Sequence, residues 1–313
     1  MNSDKKILIC DKIEPEGIDL LLKSGFNIVE RPSITPDELL DEIKDVNVVV
    51  VRSRTKITES VINNGKNLQL ICRPGTGLDN IDTSSAKEHD ISVLNSVEAS
   101  TNAVAELTIS LAVSLSRSIS LADQAMKNGE WLKNSLLGSE LRGKVFGVIG
   151  LGRIGRRTGI LASALEMNVI GFEKEIVDPE YLNKYNIQQV EFDELLSKSD
   201  FISLHLPATP ETIHMIGKKQ FELMKNTAFI INTARGQLII ESDLYDALTN
   251  NKIAGAALDV FETEPPTNSK LIKLKNLIAT PHIGAQIIEA QKDASLVIAQ
   301  KIIDFYSNNQ SKD

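Results

Sequence analysis

The chain has 313 residues, and at roughly 150 residues per domain this length predicts about two domains. Hydrophobic residues make up 42% and charged residues 24% of the chain, as in an ordinary globular protein, which argues against long disordered or low-complexity segments. The 34 lysines and arginines against 42 aspartates and glutamates give a net charge of -8, which argues against a nucleic-acid partner.

The two cysteines, Cys10 and Cys72, each lie in an apolar run and lack the spacing of a metal site or a redox pair. We therefore expect no metal centre and a reducing compartment. The N-terminal apolar run is about four residues long, too short for a secretory signal, and no stretch approaches the ~18 apolar residues of a membrane helix. These observations predict a cytoplasmic protein with no membrane partner.

Short β-branched runs alternate with amphipathic stretches along the first third of the chain. Helical patterns lie between the runs, for example at Glu16–Ser24 and Pro36–Ile43. The predicted strands are Lys6–Cys10, Asn27–Glu30, Asn47–Val51, Leu68–Cys72 and Ser92–Leu94. Alternation of this kind is typical of a parallel sheet whose two faces are covered by helices.

A second alternating series of strands and helices begins at Val145. Its predicted strands are Val145–Ile149, Val169–Phe172, Phe201–Leu204, Ala228–Ile231, Gly255–Leu258 and Leu277–Ala279. The predicted fold class is therefore α/β, with two doubly wound parallel-sheet domains. Two such domains predict a cleft between them, which is a common position for a small-molecule site.

Between the two series, residues 102–124 form a long stretch whose apolar side chains do not keep to one helical face. A helix that is apolar around much of its girth must be covered on several sides. One interpretation is a core helix that joins the two domains. The other is that part of this helix also forms a subunit interface, which predicts a homodimer through residues 99–140.

The segment GVIGLGRIG carries a G-x-G-x-x-G pattern, with Gly150, Gly152 and Gly155, between an apolar strand and the helical stretch Arg156–Met167. Glycines there allow a tight turn and a close approach of the backbone to a pyrophosphate, which then faces the start of the helix. Glu173 ends the next strand, where a carboxylate accepts hydrogen bonds from the adenosine ribose and repels a 2′-phosphate. This context predicts a dinucleotide site that prefers NAD over NADP.

Four candidate chemical groups follow separate strands of the second series. Arg235 in NTARG offers a planar guanidinium suited to a bidentate contact with a carboxylate. His282 in TPHIGA can exchange a proton because its ordinary pKa is near 6.5, and Glu264 in FETEPP can stabilise the imidazolium. His205 in SLHLP follows a strand at the ligand-binding edge, so we expect it to line the cofactor site. The first three groups suit hydride transfer between a nicotinamide and a 2-oxo or 2-hydroxy acid.

The chain resembles the D-isomer-specific 2-hydroxyacid dehydrogenase family, and most closely its phosphoglycerate dehydrogenase branch. The similarity rests on seven blocks in order: VRSRTKIT, RPGTGLDNID, GVIGLGRIG, HLPATPET, NTARG, AALDVFETEPP and TPHIGA. The resemblance implies a flavodoxin-like substrate domain of residues 1–98 and 286–313, and a Rossmann NAD-binding domain of residues 99–285. Because the chain ends soon after its last helix, we expect the ACT-type regulatory domain of longer relatives to be absent.

The resemblance also implies roles for individual residues. The family's catalytic arginine, glutamate and histidine match Arg235, Glu264 and His282. Asp259 matches the residue that holds the nicotinamide carboxamide. The implied contacts with the NAD cofactor are Thr76, Gly150, Gly152, Arg153, Ile154, Gly155, Glu173, His205, Leu206, Pro207, Thr233, Ala234, Asp259, Gly284 and Ala285.

The substrate implied by the resemblance is a small acid that carries a phosphate. Arg52 and Arg73 match basic positions that receive the phosphate in phosphoglycerate dehydrogenases, and Lys133 matches one that reaches a neighbouring subunit's site in some relatives. The implied substrate-binding residues are Arg52, Ser53, Arg73, Gly75, Asn80, Lys133 and Arg235. They favour NAD-dependent oxidation of 3-phospho-D-glycerate to 3-phosphooxypyruvate, the first step of serine biosynthesis.

Two kinds of alternative remain open. The first is a glyoxylate/hydroxypyruvate reductase or a D-lactate dehydrogenase, because these enzymes share the catalytic trio. The second, from another class, is an NAD-sensing corepressor-like binding module, a role that one branch of the family has.

Overall fold

The computed structural model describes residues 4–267 and 269–310. It divides the chain into two compact units, Met1–Ser100 with Ala285–Asp313, and Thr101–Gly284. The first unit is discontinuous, because the C-terminal segment returns to it. The predicted boundaries after residue 98 and before residue 286 lie within two residues of this division, and Ala285 falls in the first unit rather than in the second.

The first unit contains a five-stranded parallel sheet in the order β2-β1-β3-β4-β5. Its strands are β1 (Lys6–Ile9), β2 (Asn27–Glu30), β3 (Val48–Val50), β4 (Leu70–Arg73) and β5 (Ser92–Asn95). This is the 2-1-3-4-5 order of flavodoxin-like folds, so the predicted fold class of this unit is confirmed. The five predicted strands are all present, with ends shifted by at most two residues.

The valine-rich strand β3 shows why the chain forms a sheet with two covered faces here. Val48 and Val50 belong to one apolar cluster, Val49 and Val51 belong to another, and all four are fully buried. An apolar run with both faces buried is typical of a central strand in a parallel sheet. The helices in this part of the chain are α1 (Pro15–Lys23), α2 (Pro36–Glu42), α3 (Glu59–Asn64) and α4 (Thr83–Glu88).

The second unit contains a seven-stranded parallel sheet in the order β12-β11-β10-β9-β6-β7-β8. Its strands are β6 (Val145–Ile149), β7 (Asn168–Phe172), β8 (Ile187–Gln189), β9 (Phe201–Leu204), β10 (Phe229–Asn232), β11 (Gly255–Leu258) and β12 (Leu277–Ala279). Numbered within the unit, this is the 3-2-1-4-5-6 Rossmann order with one further strand, which confirms the predicted class. The prediction omitted β8, because this edge strand buries only Ile187 and its sequence IQQ carries no apolar alternation.

Residues 102–124 do not form the single helix that the sequence predicted. They divide between α5 (Thr101–Arg117) and α6 (Ile119–Lys127), because Ser118 adopts a left-handed conformation with φ of 51°. Helix α5 packs against β10 and β11 and is a core helix. No single helix in the described ranges is long and apolar enough to cross a membrane, although α5 and α6, bent by 66°, pass that test of length and composition as a pair.

The remaining helices of the second unit are α7 (Arg153–Ala164), α8 (Pro179–Lys184), α9 (Phe192–Lys198), α10 (Lys218–Leu223) and α11 (Glu241–Thr249). Helix α12 (Ile288–Gln310) belongs to the first unit and packs against α1. The Ser295 hydroxyl donates to the Glu14 carbonyl oxygen (2.8 Å), and Gly17 lets the two helices approach there, since a Cβ on it would collide with Ser295. Lys301 pairs with Glu98 (2.8 Å) and so ties the last helix to the segment after β5.

Candidate functional site

Strand β6 ends in the glycine-rich turn, whose three glycines serve different purposes. Gly150 has a φ of 96°, and a Cβ on it would lie 2.8 Å from the carbonyl oxygen of His205. A Cβ on Gly155 would collide with the carbonyl oxygen of Gly150. Gly152 differs, because nothing lies within 4 Å of the position that its Cβ would occupy. The backbone at Gly152 is therefore open to a ligand that approaches it closely.

Helix α7 begins at Arg153, directly after Gly152, and Gly152 supplies no capping side chain for the N–H groups of the first turn. Glu173, which follows β7, accepts hydrogen bonds from the N–H of Leu151 (2.9 Å) and of Lys174 (3.1 Å). The carboxylate is thus tied to the backbone of the turn, and it keeps capacity for more donors because a carboxylate accepts about four. An open helix start and a nearby carboxylate fit the pyrophosphate and ribose of NAD.

Strand β9 ends at the same edge of the sheet and leads into His205. Nε2 of its ring lies 3.1 Å from the Ser203 hydroxyl, and burial lowers the pKa of His205 to about 3. The ring is therefore neutral at physiological pH. Leu206 packs against the apolar core of the unit, and the Pro207 carbonyl oxygen accepts a hydrogen bond from the Thr212 hydroxyl (2.6 Å). This strand end offers an uncharged surface and no group that exchanges a proton near neutral pH.

Strand β10 ends in the NTARG segment, which Asn232 organises from a buried position. Its side-chain amide donates to the Arg235 carbonyl oxygen (2.8 Å) and accepts from the Ala234 N–H (3.0 Å). The buried Thr233 hydroxyl lies 2.9 Å from that of Thr108 on α5. Neither Asn232 nor Thr108 was predicted from the sequence, although an asparagine at a strand end is a recognisable turn signal.

The loop that carries Glu264 lies against the turn that carries Arg235. A Cβ on Gly236 would collide with the backbone of Phe261 and Glu262, so only glycine lets the two segments approach. Within the loop, Oε1 of Glu264 accepts a hydrogen bond from the Phe261 N–H (3.1 Å). The close approach explains why the Arg235 charge acts on Glu264 and lowers the pKa of this carboxyl.

His282 and Glu264 are directly hydrogen-bonded, with 2.7 Å between Nδ1 and Oε2. This bond raises the pKa of His282 above its ordinary value, against the opposing effects of partial burial and of the Arg235 charge. Partial burial opposes ionisation of Glu264, but the His282 hydrogen bond and the charges of His282 and Arg235 outweigh it and hold the Glu264 pKa low. Because an ionised carboxylate only accepts, Nδ1 carries a proton, and Nε2 is the atom that can exchange one.

Asp259, which follows β11, is only 1% exposed and fixes the turn that carries His282. Its carboxylate accepts hydrogen bonds from the Thr280 hydroxyl (2.6 Å), the Ile283 N–H (2.8 Å) and the Gly284 N–H (2.8 Å). His282 itself has a φ of 54°, which a non-glycine residue keeps only where its surroundings hold it. The expected contact of Asp259 with the nicotinamide stays a prediction, since its oxygens bond the turn in this structure.

Residues expected to bind the substrate also lie in the first unit, in the loops that follow β3 and β4. The Asn80 amide joins these loops, because it donates to the carbonyl oxygens of Arg52 (2.7 Å) and Thr55 (2.6 Å). Arg73 donates from Nη2 to the Ser53 hydroxyl (3.1 Å). The structure thus brings Arg52, Ser53, Arg73 and Asn80 together in one cluster.

Asp11 is a buried residue that shapes the loop after β3, and its role was not predicted from the sequence. Its carboxylate accepts a hydrogen bond from the Arg52 N–H (2.5 Å) and from the Thr55 hydroxyl (2.9 Å), and it pairs with Nε of Arg54 (2.9 Å). The guanidinium of Arg54 also donates to the carbonyl oxygens of Cys10, Pro32 and Ile34. Arg54 therefore holds the loop together rather than facing a ligand.

The guanidinium of Arg52 differs from that of Arg54. No hydrogen bond or ion pair reaches it from residues 4–267 or 269–310; burial lowers its pKa, against the opposing charges of Asp11 and Glu14. A partly buried cation without a hydrogen-bonded partner is stabilised when an anion binds to it. Arg52 is thus the member of the cluster best suited to receive an anionic group.

The other predicted residues of the first unit are Gly75 and Thr76. The Gly75 N–H donates to the Ser96 hydroxyl (2.8 Å), and the Thr76 hydroxyl lies 2.6 Å from that of Ser100. In the second unit, Lys133 is exposed in the segment after α6. Among the described residues there is no group of three or more potential metal ligands.

Comparisons with known proteins bear on this site. Residues 109–284 match the D-isomer specific 2-hydroxyacid dehydrogenase, NAD binding domain. The chain is 45% identical to a D-3-phosphoglycerate dehydrogenase of Methanocaldococcus jannaschii over 95% of its own length and 56% of the relative's. It is 42% identical to a hydroxypyruvate reductase of Thermotoga maritima over 95% of its own length and 97% of the relative's.

Among solved structures, a glyoxylate reductase from Paecilomyes thermophila superposes with a TM-score of 0.88 at 31% identity, covering 96% of this chain and 94% of that one. The chain spans little more than half the length of the phosphoglycerate dehydrogenase that it matches. The match to the NAD-binding domain covers more than half of this chain, and it includes the glycine-rich turn, Arg235, Glu264 and His282. The chain therefore belongs to the D-isomer specific 2-hydroxyacid dehydrogenase family.

Proposed function

We propose that the chain catalyses the NAD-dependent oxidation of 3-phospho-D-glycerate to 3-phosphooxypyruvate, the entry to serine biosynthesis. The observation that carries the proposal is the hydrogen-bonded pair of Glu264 and His282, whose pKa values are shifted apart beside the charge of Arg235. All three residues follow strands of the sheet whose edge also carries the glycine-rich turn. Perturbed, coupled groups at a ligand-binding edge are typical of an acid–base site.

In the proposed reaction, Arg235 binds the substrate carboxylate and so orients C2. Nε2 of His282 accepts the proton of the C2 hydroxyl while the hydrogen on C2 leaves as hydride, and a carbonyl group forms at C2. Glu264 stabilises the imidazolium that results. When bound, NAD supplies the acceptor for the hydride. In the reverse direction His282 returns the proton to the carbonyl oxygen.

The residues around the glycine-rich turn would hold the cofactor. The open space at Gly152 and the first turn of α7, with Arg153 and Ile154, suit the pyrophosphate, and Glu173 suits the adenosine ribose. The Glu173 carboxylate would repel a 2′-phosphate, which supports NAD as the cofactor. The first unit would then serve as the substrate domain and the second as the NAD-binding domain.

The cluster of Arg52, Ser53, Arg73 and Asn80 supports a phosphorylated substrate. Two guanidinium groups and a hydroxyl are the donors that a phosphate oxygen prefers. The Arg52 guanidinium has no partner among the described residues, so an anionic group would stabilise it. We propose that these residues receive the phosphate of the substrate.

A second candidate is a hydroxypyruvate reductase, because the chain is 42% identical to a relative with that name. Both activities use the same acid–base pair and differ in what the arginines of the first unit bind. The Arg52 cluster favours the phosphorylated substrate over hydroxypyruvate.

A steady-state assay with NADH separates these functions. Initial rates are measured with 3-phosphooxypyruvate, hydroxypyruvate, glyoxylate and pyruvate as separate substrates. We expect kcat/KM to be at least ~10-fold higher for 3-phosphooxypyruvate than for hydroxypyruvate, because one charge-assisted contact contributes about that factor. Equal or better use of hydroxypyruvate would establish the second candidate, and binding of NADH without turnover of any substrate would favour a binding module.

We also propose a homodimer through residues 99–140. Large apolar side chains are exposed there, with Ile119 at 49%, Met126 at 55%, Trp131 at 75% and Leu137 at 96%. Exposed apolar side chains grouped in one segment mark an interaction surface. Light scattering coupled to size-exclusion chromatography tests the proposal, and a monomer at micromolar concentration would refute it. A cytoplasmic location stays a prediction.

A further inference from the structure

The loop that carries Glu264 is also held by hydrogen bonds between two glutamates, Glu262 in the loop and Glu241. Oε1 of Glu241 accepts a hydrogen bond from the Glu262 N–H (2.8 Å), and Oε1 of Glu262 accepts one from the Glu241 N–H (3.1 Å). Each side chain thus bonds the backbone of the other residue. We call this reciprocal arrangement of Glu241 and Glu262 the glutamate clasp.

The clasp joins the loop to the start of helix α11. Glu241 is the first residue of α11, so its N–H is one of the donors that the helix leaves unpaired. The segment just before α11 is bonded to a neighbouring loop through the Ile240 N–H and the Ile216 carbonyl oxygen (2.9 Å). Glu262, which bonds Glu241, is only two residues before Glu264 in the chain.

We propose that Glu262 and Glu241 are positioning residues that hold Glu264 within hydrogen-bonding reach of His282. The proposal rests on the proposed function only for its effect on catalysis, because the geometry can be measured without turnover. Neither glutamate contacts His282 in the described structure; they act through the backbone of the loop.

The start of this loop is fixed by packing, since Phe261 is 4% exposed and belongs to the apolar core of the second unit. Beyond Phe261, Glu264 accepts from the Phe261 N–H, a bond inside the loop, and its bond to His282 is the contact that we propose the clasp to position. The contact between Gly236 and the Phe261–Glu262 backbone sets how close the loop can come, but it is a steric limit and supplies no hydrogen bond. The clasp supplies two hydrogen bonds to an element outside the loop.

The charged groups around the clasp and around the acid–base pair are distinct. Nε2 of His214 lies 3.7 Å from Oε1 of Glu262, and Glu241 faces Glu262 from α11; burial and then the Glu262 charge raise the pKa of Glu241. His282 is faced by Glu264, Asp259 and Arg235. Because the hydrogen bond to Glu264 is the largest influence on His282, a looser loop lowers the His282 pKa.

The test is a pH titration of the histidine ring signals by NMR in the full chain. The chain has four histidines, His89, His205, His214 and His282, so each signal can be assigned by removing one ring at a time. Glu264→Gln calibrates the measurement, because it removes the carboxylate that bonds His282. We expect the His282 midpoint to fall in this variant.

Glu262→Ala removes the clasp hydrogen bond that Oε1 of Glu262 accepts and leaves the one that the residue 262 N–H donates to Glu241. It should lower the His282 midpoint in the same direction as Glu264→Gln, by roughly half a pH unit or more. Glu262→Gln removes the same charge but keeps an oxygen that accepts from the Glu241 N–H, so the midpoint should return most of the way to that of the unmodified chain. Glu222→Ala removes an exposed glutamate of α10 and is the matched control, with no expected change. If Glu262→Ala does not fold, Glu241→Ala removes the other hydrogen bond of the clasp and should lower the His282 midpoint in the same direction.

The kinetic counterpart is the pH profile of NADH-dependent reduction. Reduction needs protonated His282, so the rate falls as pH rises through the His282 pKa, and a lower pKa moves this fall to lower pH. We expect Glu262→Ala to move the alkaline limb of the profile to lower pH and Glu262→Gln to leave it nearly in place. Identical His282 midpoints in Glu262→Ala and Glu222→Ala would overturn the inference. A shifted midpoint in a chain that reduces no 2-oxo acid would support the clasp and refute the proposed function alone.

Discussion

The edge of the seven-stranded sheet has two halves that are built in opposite ways. The nucleotide half, at the ends of β6, β7 and β9, consists of glycines, backbone N–H groups and a partly buried neutral histidine, His205. The acid–base half, at the ends of β10, β11 and β12, consists of Arg235, Glu264 and His282, whose charges act on one another. Both halves use residues of the segments that follow parallel strands.

The difference follows from what each half must do. In the proposed function the nucleotide half receives a dinucleotide that brings its own negative charge, so it would need only space, fixed donors and one acceptor, at Glu173. The proposed proton transfer needs a group whose charge changes near neutral pH, which suits the half-exposed and paired His282. The two histidines of this edge thus have pKa values shifted in opposite directions.

The largest effect is expected from His282→Ala. Removing the group that exchanges the proton should lower kcat by roughly 10²–10⁴, while NADH binding stays nearly intact because the nucleotide half is unchanged. Steady-state kinetics and NADH fluorescence titration measure the two quantities. Unchanged turnover would remove His282 from the mechanism.

Arg235→Ala should lower kcat/KM by about 10²-fold, mostly through KM, since two charge-assisted hydrogen bonds to the substrate carboxylate are lost. Arg235→Lys keeps the charge but loses the planar, two-pronged geometry of the guanidinium, so its kcat/KM should lie between those of the unmodified chain and of Arg235→Ala. The same assay with NADH held saturating separates KM from kcat. A variant with normal KM and rate would contradict the assignment of Arg235 to the carboxylate.

Alanine substitutions at Gly152 and Gly155 distinguish a glycine that leaves room for the ligand from one that leaves room for the protein backbone. Gly155→Ala forces a Cβ against the Gly150 carbonyl oxygen and should cost about 1–3 kcal/mol of stability as well as NADH affinity. Gly152→Ala meets no protein atom, so the melting temperature should stay unchanged while NADH binds roughly 10-fold more weakly. Calorimetry of folding and of NADH binding checks both, and tight NADH binding by Gly152→Ala would place the pyrophosphate elsewhere.

Arg52 and Arg54 form a similar pair in the first unit. Arg52→Ala should lower kcat/KM for 3-phosphooxypyruvate about 10-fold more than for hydroxypyruvate, because its guanidinium is the one available to a phosphate. Arg54→Ala should instead lower the melting temperature, since the buried Asp11 carboxylate loses its counter-ion. Equal losses for both substrates in Arg52→Ala would point to the unphosphorylated acid.

The smallest effect is expected from His205→Asn. The His205 ring is neutral at every pH above about 3, so its removal should leave both limbs of the pH–rate profile in place. The profile is measured between pH 5 and 9, a range of about four units around the ordinary histidine pKa. Loss of one limb would show that both halves of the edge exchange protons.

Much of this fold follows from local sequence patterns. Apolar runs such as that of β3 and the alternation of strands with amphipathic helices predict the parallel sheets, because buried parallel strands must be apolar on both faces. The prediction failed at β8 and at Ser118. An edge strand needs only one buried side chain, and a single left-handed residue inside an apolar stretch leaves no periodic signal.

The sequence predicted which reactive side chains form the candidate site, but it did not predict which residues position them. Arg235, Glu264 and His282 are recognisable because unusual groups follow strands in glycine- and proline-marked loops. Asp11 and Glu262 were missed, since a polar residue in a loop gives the same local pattern whether it is solvated or bonded to a distant backbone. Their partners lie in other segments of the chain, 41 residues away for Asp11 and Arg52 and 21 for Glu262 and Glu241. Asn232 was also missed, although its partners Ala234 and Arg235 are its near neighbours in the chain.

The sequence by itself determined the doubly wound class of both units, the glycine-rich turn and the three ionisable groups of the acid–base half. These features are local, because period, turn chemistry and side-chain type are properties of neighbouring residues. The tertiary structure alone decided which carboxylate bonds His282, that His205 is neutral, and that Arg52 rather than Arg54 is available to an anion. Charge states and partners depend on burial and on distances between segments remote in the chain, and only folding sets those.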